Sequence, residues 1–169
     1  MKQLNVGLLG IGTVGGGTYT VLTRNAAEIT RRTGVAINVV QVADKNVDHA
    51  KALTDGKVDV TNDAFAVVNN PNVDVVVELI GGYTLSKDLV LKAIANGKHV
   101  VTAKKALLAL HGNEIFAAAQ KAGVIVAFEA AVAGGIPIIK ALREGLGANK
   151  IEWVAGIING TTNFILTEM

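Results

Sequence analysis

Short apolar runs and segments of helical periodicity alternate along most of the 169-residue chain. Runs of strand length occupy residues 4–9, 36–43, 58–60, 74–80, 99–102 and 124–128. Between them, apolar positions follow helical spacing over residues 13–32, 64–68, 85–95 and 114–121. Strands separated by helices predict an α/β fold built on a doubly wound parallel sheet.

The pattern changes near residue 130, where a glycine-rich segment leads to Pro137. A proline is favoured in the first turn of a helix, and a helix is predicted over residues 138–146. A strand is predicted over 151–158 and a further helix over 161–169. We therefore expect one domain over residues 1–130 and the beginning of a second, incomplete substrate and dimerisation domain over residues 131–169.

Composition narrows the class of protein. Half of the residues are hydrophobic but only 4% are aromatic, as in buried parallel strands covered by helices. A formal net charge of +2 argues against nucleic acid or a membrane surface as a partner. The absence of cysteine excludes disulfides, thiolate metal sites and a cysteine nucleophile. With no apolar run of membrane-spanning length, we expect a cytoplasmic protein.

The clearest chemical signal is a GxGxxG motif directly after the first predicted strand. It comprises Gly10, Ile11, Gly12, Thr13, Val14 and Gly15. In a Rossmann-like domain the glycines allow the tight turn, the approach of a pyrophosphate and close helix packing, while the helix N-terminus faces the phosphates. The motif predicts binding of NAD(P), and the alternative is a strand–helix turn without a ligand.

Two charged residues follow the second predicted strand. Asp44 lies 29 residues after Gly15, whereas the usual spacing of the ribose-binding acid is about 20, and a long first helix accounts for the difference. Asp44 would accept hydrogen bonds from the adenosine ribose of NAD, and Lys45 would instead favour the 2′-phosphate of NADP. Both could also belong to an ordinary solvated turn, so the choice of cofactor stays open.

Beyond this turn, the chain resembles homoserine dehydrogenases through motifs that occur in the same order. They are GLLGIGTVGGGT at 7–18, VVVELIGG at 75–82, HVVTAKKALLA at 99–109, FEAAVAGGIPIIKAL at 128–142 and GIINGTTNFILTEM at 156–169. The first motif is shared with most Rossmann proteins, whereas the last two are specific to this family. Because no kinase region precedes the first strand, the resemblance is to the monofunctional form.

The resemblance implies reversible NAD(P)-dependent hydride transfer between L-homoserine and L-aspartate 4-semialdehyde, in threonine, methionine and isoleucine biosynthesis. It also implies that the catalytic lysine lies beyond Met169. We expect the chain to be the cofactor-binding part of this oxidoreductase and to be inactive alone. The alternatives are a non-catalytic NAD(P)-binding or sensing module and a dehydrogenase for another amino-acid-derived aldehyde.

Further site residues are implied by the resemblance alone. Lys105 matches a family lysine that faces the nicotinamide. Lys104 stands where the family usually has asparagine, and its positive charge would repel that of Lys105. Gly81, with Gly82, is expected beneath the nicotinamide ribose. The alternative for Lys105 is a solvated lysine at a helix start.

The segment 129–136 matches the family's loop for a monovalent cation such as Na⁺. The implied ligands are the Glu129 side chain and the backbone carbonyls of Val132, Gly134 and Ile136; oxygen ligands suit a hard cation. The alternative is that Glu129 caps the following helix. Apolar residues in 138–146 and 164–166 have no predicted partner, which favours self-association as a homo-oligomer.

Overall fold

The computed structural model describes residues 2–82, 84–156 and 160–169, with the side chains of 160–162 left aside. Its centre is a six-stranded, fully parallel sheet in the order β3-β2-β1-β4-β5-β6. This is the strand order of a dinucleotide-binding Rossmann domain, so the predicted fold class is confirmed. The strands are β1 (Lys2–Leu9), β2 (Val35–Ala43), β3 (Asp59–Thr61), β4 (Val75–Glu78), β5 (His99–Thr102) and β6 (Val126–Ala127).

Helices cover both faces of the sheet and connect successive strands. They are α1 (Thr13–Arg24), α2 (Ala26–Thr33), α3 (Val47–Leu53), α4 (Ala64–Asn69), α5 (Thr84–Ala95) and α6 (Lys105–Ala122). After β6 come a 3₁₀ turn (Glu129–Ala131), the short helix α7 (Ile138–Lys140), a π-helical turn (Ala141–Gly145) and α8 (Gly160–Glu168).

Two aliphatic layers hold the sheet between the helices. On one face, Leu9, Val76 and Val100 pack with Leu89 and Ile115 of α5 and α6. The opposite face contributes a second buried cluster, which includes Leu8, Val42, Val75, Tyr19 and Ala50. Alternate residues of β1 and β4 thus enter opposite layers, which explains the nearly continuous apolar sequence of these strands.

Several predicted boundaries were wrong. The helix predicted over 13–32 is divided at Asn25, a weak helix former whose φ of −102° and ψ of 15° interrupt the helix. Helix α3 was not predicted; the Asn46 side chain starts it by accepting a hydrogen bond from the His49 amide. Helix α6 begins at Lys105 rather than Glu114. It continues past Gly112, a poor helix former, because this glycine is buried where α6 packs against α5.

The segment after residue 146 also differs from its prediction. Residues 151–156 form no regular secondary structure, although a strand was predicted over 151–158. Residues 157–159 lie outside the described residues, and they include the last two positions of the predicted strand. Trp153 and Val154 are 77% and 65% exposed, so the apolar run that suggested a strand has no sheet to join within the described residues.

Candidate functional site

A cavity of about 620 Å³ opens at the carboxyl ends of β1, β2 and β4. Its wall includes five residues predicted from the sequence: Gly10, Gly12, Asp44, Lys45 and Gly81. The cavity lies where the strand order reverses, between β1 and β4, and open α/β sheets bind their ligands at this point. Among the residues that the structure describes, none lies within 4 Å of a Cβ placed on Gly12, so the junction between β1 and α1 is open there.

Three glycines shape that junction in different ways. Gly10 has a φ of +87°, and a Cβ on it would lie 2.9 Å from the Leu79 carbonyl oxygen. A Cβ on Gly15 would collide with the Gly10 carbonyl oxygen, so this glycine sets how closely α1 approaches β1. A Cβ on Gly12 would meet no atom within 4 Å. Gly12 therefore presents open backbone to the cavity.

The other three residues of the motif take different positions. Thr13 is the first residue of α1, whose opening amides have no partner within the helix. Ile11 is fully buried in the hydrophobic layer, whereas the Val14 side chain is 60% exposed. The backbone of this segment, rather than its side chains, is what it can offer to an anion.

Asp44 is bonded directly to the glycine-rich turn. Its Oδ2 accepts a hydrogen bond of 2.8 Å from the Ile11 amide, and its Oδ1 accepts one of 2.8 Å from the Asn46 amide. One amide of the turn is thus committed to Asp44, which fixes the turn against the end of β2. Each carboxylate oxygen can accept a further hydrogen bond from a ligand. Lys45 is exposed at the rim of the same cavity.

Glu78, which the sequence analysis did not single out, is a fully buried carboxyl group at the end of β4. Its Oε1 accepts hydrogen bonds from the Ile80 amide (3.0 Å) and the Ser86 hydroxyl (2.8 Å), and its Oε2 accepts one from the Thr102 hydroxyl (2.8 Å). The available signal was an acidic residue directly after three valines, at the end of the apolar run VVVE.

The two lysines after β5 form the start of α6. The Lys104 amide donates to the Thr102 hydroxyl at 3.1 Å. Lys105 begins the helix at the carboxyl end of β5, with its side chain exposed and outside the cavity wall. Its predicted contact with the nicotinamide therefore stays a prediction. Gly81 lines the cavity and Gly82 follows with a φ of +82°.

In the predicted cation loop, Glu129 caps helix α7. Its Oε1 accepts from the Ile139 amide at 2.9 Å and its Oε2 from the Lys140 amide at 3.0 Å. The Ile136 carbonyl accepts from the Ile138 amide at 2.8 Å. This geometry is the capping alternative, and a cation site stays a prediction. Within the described residues, no three His, Cys, Asp or Glu side chains form a metal-binding group.

Comparison with known proteins identifies the family. A family model described as "Homoserine dehydrogenase, NAD binding domain" matches residues 10–129, and one described as "Homoserine dehydrogenase" matches residues 137–169. The chain belongs to the homoserine dehydrogenase family. The resemblance drawn from the sequence motifs is therefore confirmed.

Individual relatives agree with this membership. The homoserine dehydrogenase of Pseudomonas aeruginosa is 66% identical over the whole chain. The crystal structure of a homoserine dehydrogenase from Thiobacillus denitrificans is 67% identical, with a TM-score of 0.90 over 100% of the chain and 39% of its own. The structure of GenD2 in complex with NAD is 25% identical, with a TM-score of 0.64 over 76% of this chain and 34% of that one.

The chain spans only 38% of the length of the Pseudomonas homoserine dehydrogenase. The part that it spans includes the NAD-binding domain of the family, at residues 10–129. Among the helices in the described ranges, none is both long and apolar enough to cross a membrane.

Proposed function

We propose that this chain binds NAD(P) as the cofactor-holding part of an enzyme that interconverts L-homoserine and L-aspartate 4-semialdehyde. The observation that carries the proposal is the open cavity bounded by Gly10, Gly12 and Asp44 in a chain of the homoserine dehydrogenase family. When bound, the nicotinamide exchanges a hydride with the carbon that bears the homoserine hydroxyl group. The chain's own residues hold and orient the cofactor.

The phosphates are proposed to lie at the β1–α1 turn. Gly12 leaves its backbone open to the cavity, and the first amides of α1 give this end of the helix a partial positive charge. Asp44 holds the turn in place by accepting a hydrogen bond from the Ile11 amide. The pyrophosphate therefore meets amides that are held in place before it binds, which reduces the ordering cost of binding.

Substitution of Gly12 separates ligand binding from folding. A Cβ on Gly12 would meet no atom within 4 Å, so Gly12→Val is expected to fold, which circular dichroism checks, while its side chain would occupy the proposed phosphate position. We expect its affinity for NADH or NADPH to fall by more than about tenfold, measured by cofactor fluorescence. The matched control is Gly17→Val, an exposed glycine of α1 whose added Cβ also meets nothing within 4 Å; it should bind like the wild type.

Activity measured within a full-length enzyme distinguishes the cofactor-binding part of an enzyme from a separate binding module. Because the chain spans 38% of the Pseudomonas relative, we propose that it binds cofactor with little or no homoserine-dependent NAD(P) reduction. A sensing module would also bind cofactor without turnover. The homoserine-dependent activity is therefore measured for a full-length homoserine dehydrogenase that contains this chain. Loss of full-length activity on Gly12→Val supports the enzyme, and retained activity contradicts it.

Between the two nicotinamide cofactors, we propose a preference for NAD. Asp44 lines the cavity at the end of β2, where its negative charge would repel a 2′-phosphate, while the Lys45 side chain stays at the exposed rim. We expect NADH to bind more tightly than NADPH. The ratio of the NADPH to the NADH dissociation constant should fall by about tenfold in Asp44→Asn. The control Lys45→Gln should not narrow it. Tighter binding of NADPH by the wild type would contradict the assignment.

A monovalent cation at residues 129–136 is proposed as a structural ion. The Glu129 oxygens each accept one hydrogen bond and retain capacity for another contact, although the Ile136 carbonyl is already engaged by the Ile138 amide. Sodium chloride should raise the thermal unfolding temperature of the wild type more than choline chloride does, and Glu129→Gln should remove the difference. Equal effects of the two salts would exclude this site.

Assembly into homo-oligomers is proposed from exposed apolar side chains. Trp153, Phe164 and Leu166 are 77%, 66% and 66% exposed, and large apolar side chains of this kind form association surfaces where they are contiguous. Light scattering over a range of concentrations tests this proposal.

A further inference from the structure

Glu78 is a buried carboxyl group for which the proposed cofactor contacts provide no role. It is 0% exposed and lies at the carboxyl end of the central strand β4. Burial of such a group is unfavourable unless its oxygens are hydrogen-bonded, and three donors from three different parts of the chain reach it. The arrangement requires hydrogen-bond acceptors at this position, because a leucine or valine here would leave buried donors without a partner.

One side of Glu78 organises the loop after β4. Its Oε1 accepts hydrogen bonds from the Ile80 amide and from the hydroxyl of Ser86, a fully buried residue of α5. The Ser86 hydroxyl also lies 3.1 Å from the Gly82 carbonyl oxygen. Ile80 and Gly81 form part of the cavity wall, so Glu78 fixes a surface that it does not itself reach.

The other side of Glu78 organises the turn after β5. Its Oε2 accepts from the hydroxyl of the buried Thr102, and the same hydroxyl accepts from the Lys104 amide. Lys104 directly precedes Lys105 at the start of α6. A chain of two hydrogen bonds therefore links the Glu78 carboxyl group to the backbone that presents Lys105.

Both turns belong to the same half of the domain. In a Rossmann domain β1–β3 and β4–β6 form two mononucleotide-binding halves, and the glycine-rich turn with Asp44 serves the first, adenosine half. The Glu78 hydrogen bonds join β4, α5 and β5, all of the second half. Its influence is thus expected on the nicotinamide end of the cofactor, away from the adenosine end.

We propose that Glu78, acting with Thr102, is a positioning residue for the nicotinamide half of the cofactor. This inference rests on the proposed cofactor binding. Glu78 touches no part of the cavity itself and acts through the Ile80 amide and the Thr102 hydroxyl. Loosening its hydrogen bonds weakens recognition of the nicotinamide riboside end and leaves the adenosine and pyrophosphate contacts intact.

Thr102 offers the sharpest test, because valine has the same shape without the hydroxyl and serine keeps the hydroxyl. Affinities of Thr102→Val, Thr102→Ser and Glu78→Gln are compared for NADH and for ADP-ribose, which lacks the nicotinamide riboside. If the wild type prefers NADPH, the 2′-phosphorylated pair of ligands is used. We expect Thr102→Val and Glu78→Gln to bind the dinucleotide about tenfold more weakly and ADP-ribose within about twofold of the wild type. Thr102→Ser should restore dinucleotide binding.

The outcomes separate this inference from the proposed function. A wild type that binds neither ligand overturns the proposed function, and this inference with it. Wild-type binding of both ligands, with unchanged dinucleotide affinity in Thr102→Val and Glu78→Gln, overturns only the role of Glu78. An equal loss of both ligands also overturns it, because the network would then serve the whole fold. If Glu78→Gln does not fold, the Thr102→Val and Thr102→Ser pair decides.

Discussion

The Gly10 carbonyl oxygen occupies the place that a Cβ on residue 15 would need. Strand β1 and helix α1 meet at this contact, and only glycine at position 15 permits it. Gly10 in turn adopts a positive φ beside the Leu79 carbonyl, which ties the turn to the loop after β4. The close approach places the start of α1 beside the cavity that Gly10 and Gly12 line.

Two carboxyl groups then stabilise the two sides of the cavity. Asp44 accepts from the Ile11 amide and supports the turn after β1, while Glu78 accepts from the Ile80 amide and supports the turn after β4. The two groups differ in burial: Asp44 is partly accessible and lines the cavity, whereas Glu78 is enclosed and is connected to the cavity wall through the Ile80 amide. One carboxyl group thus stabilises the turn proposed to bind the adenosine half of the cofactor, and the other stabilises the turn proposed to bind the nicotinamide half.

Much of this architecture could be predicted from local sequence. Apolar runs of strand length and a GxGxxG motif after the first of them indicate the sheet and its ligand-binding turn, because both depend on neighbouring residues. Helix boundaries could not be predicted as well, since packing against α5 decides that α6 continues through Gly112. The break at Asn25 falls at a weak helix former, but one asparagine within a helical pattern does not by itself predict where a helix is interrupted.

The roles of Glu78 and Glu129 depend on partners that are distant in sequence. Thr102 is 24 residues from Glu78, and the Lys140 amide is 11 residues from Glu129. Residue type and spacing therefore gave no direct indication that Glu78 links two turns, and they left capping by Glu129 open as the alternative to cation binding.

The central claim is that the phosphates of a dinucleotide bind the backbone amides where β1 passes into α1. Amide chemical shifts of the isotope-labelled 17.5 kDa chain, followed during titration with ADP-ribose, test this claim most directly. The largest shifts are expected at the amides of Gly12, Thr13 and Val14. Saturable binding that leaves these three amides unchanged, with the main shifts elsewhere, would contradict it.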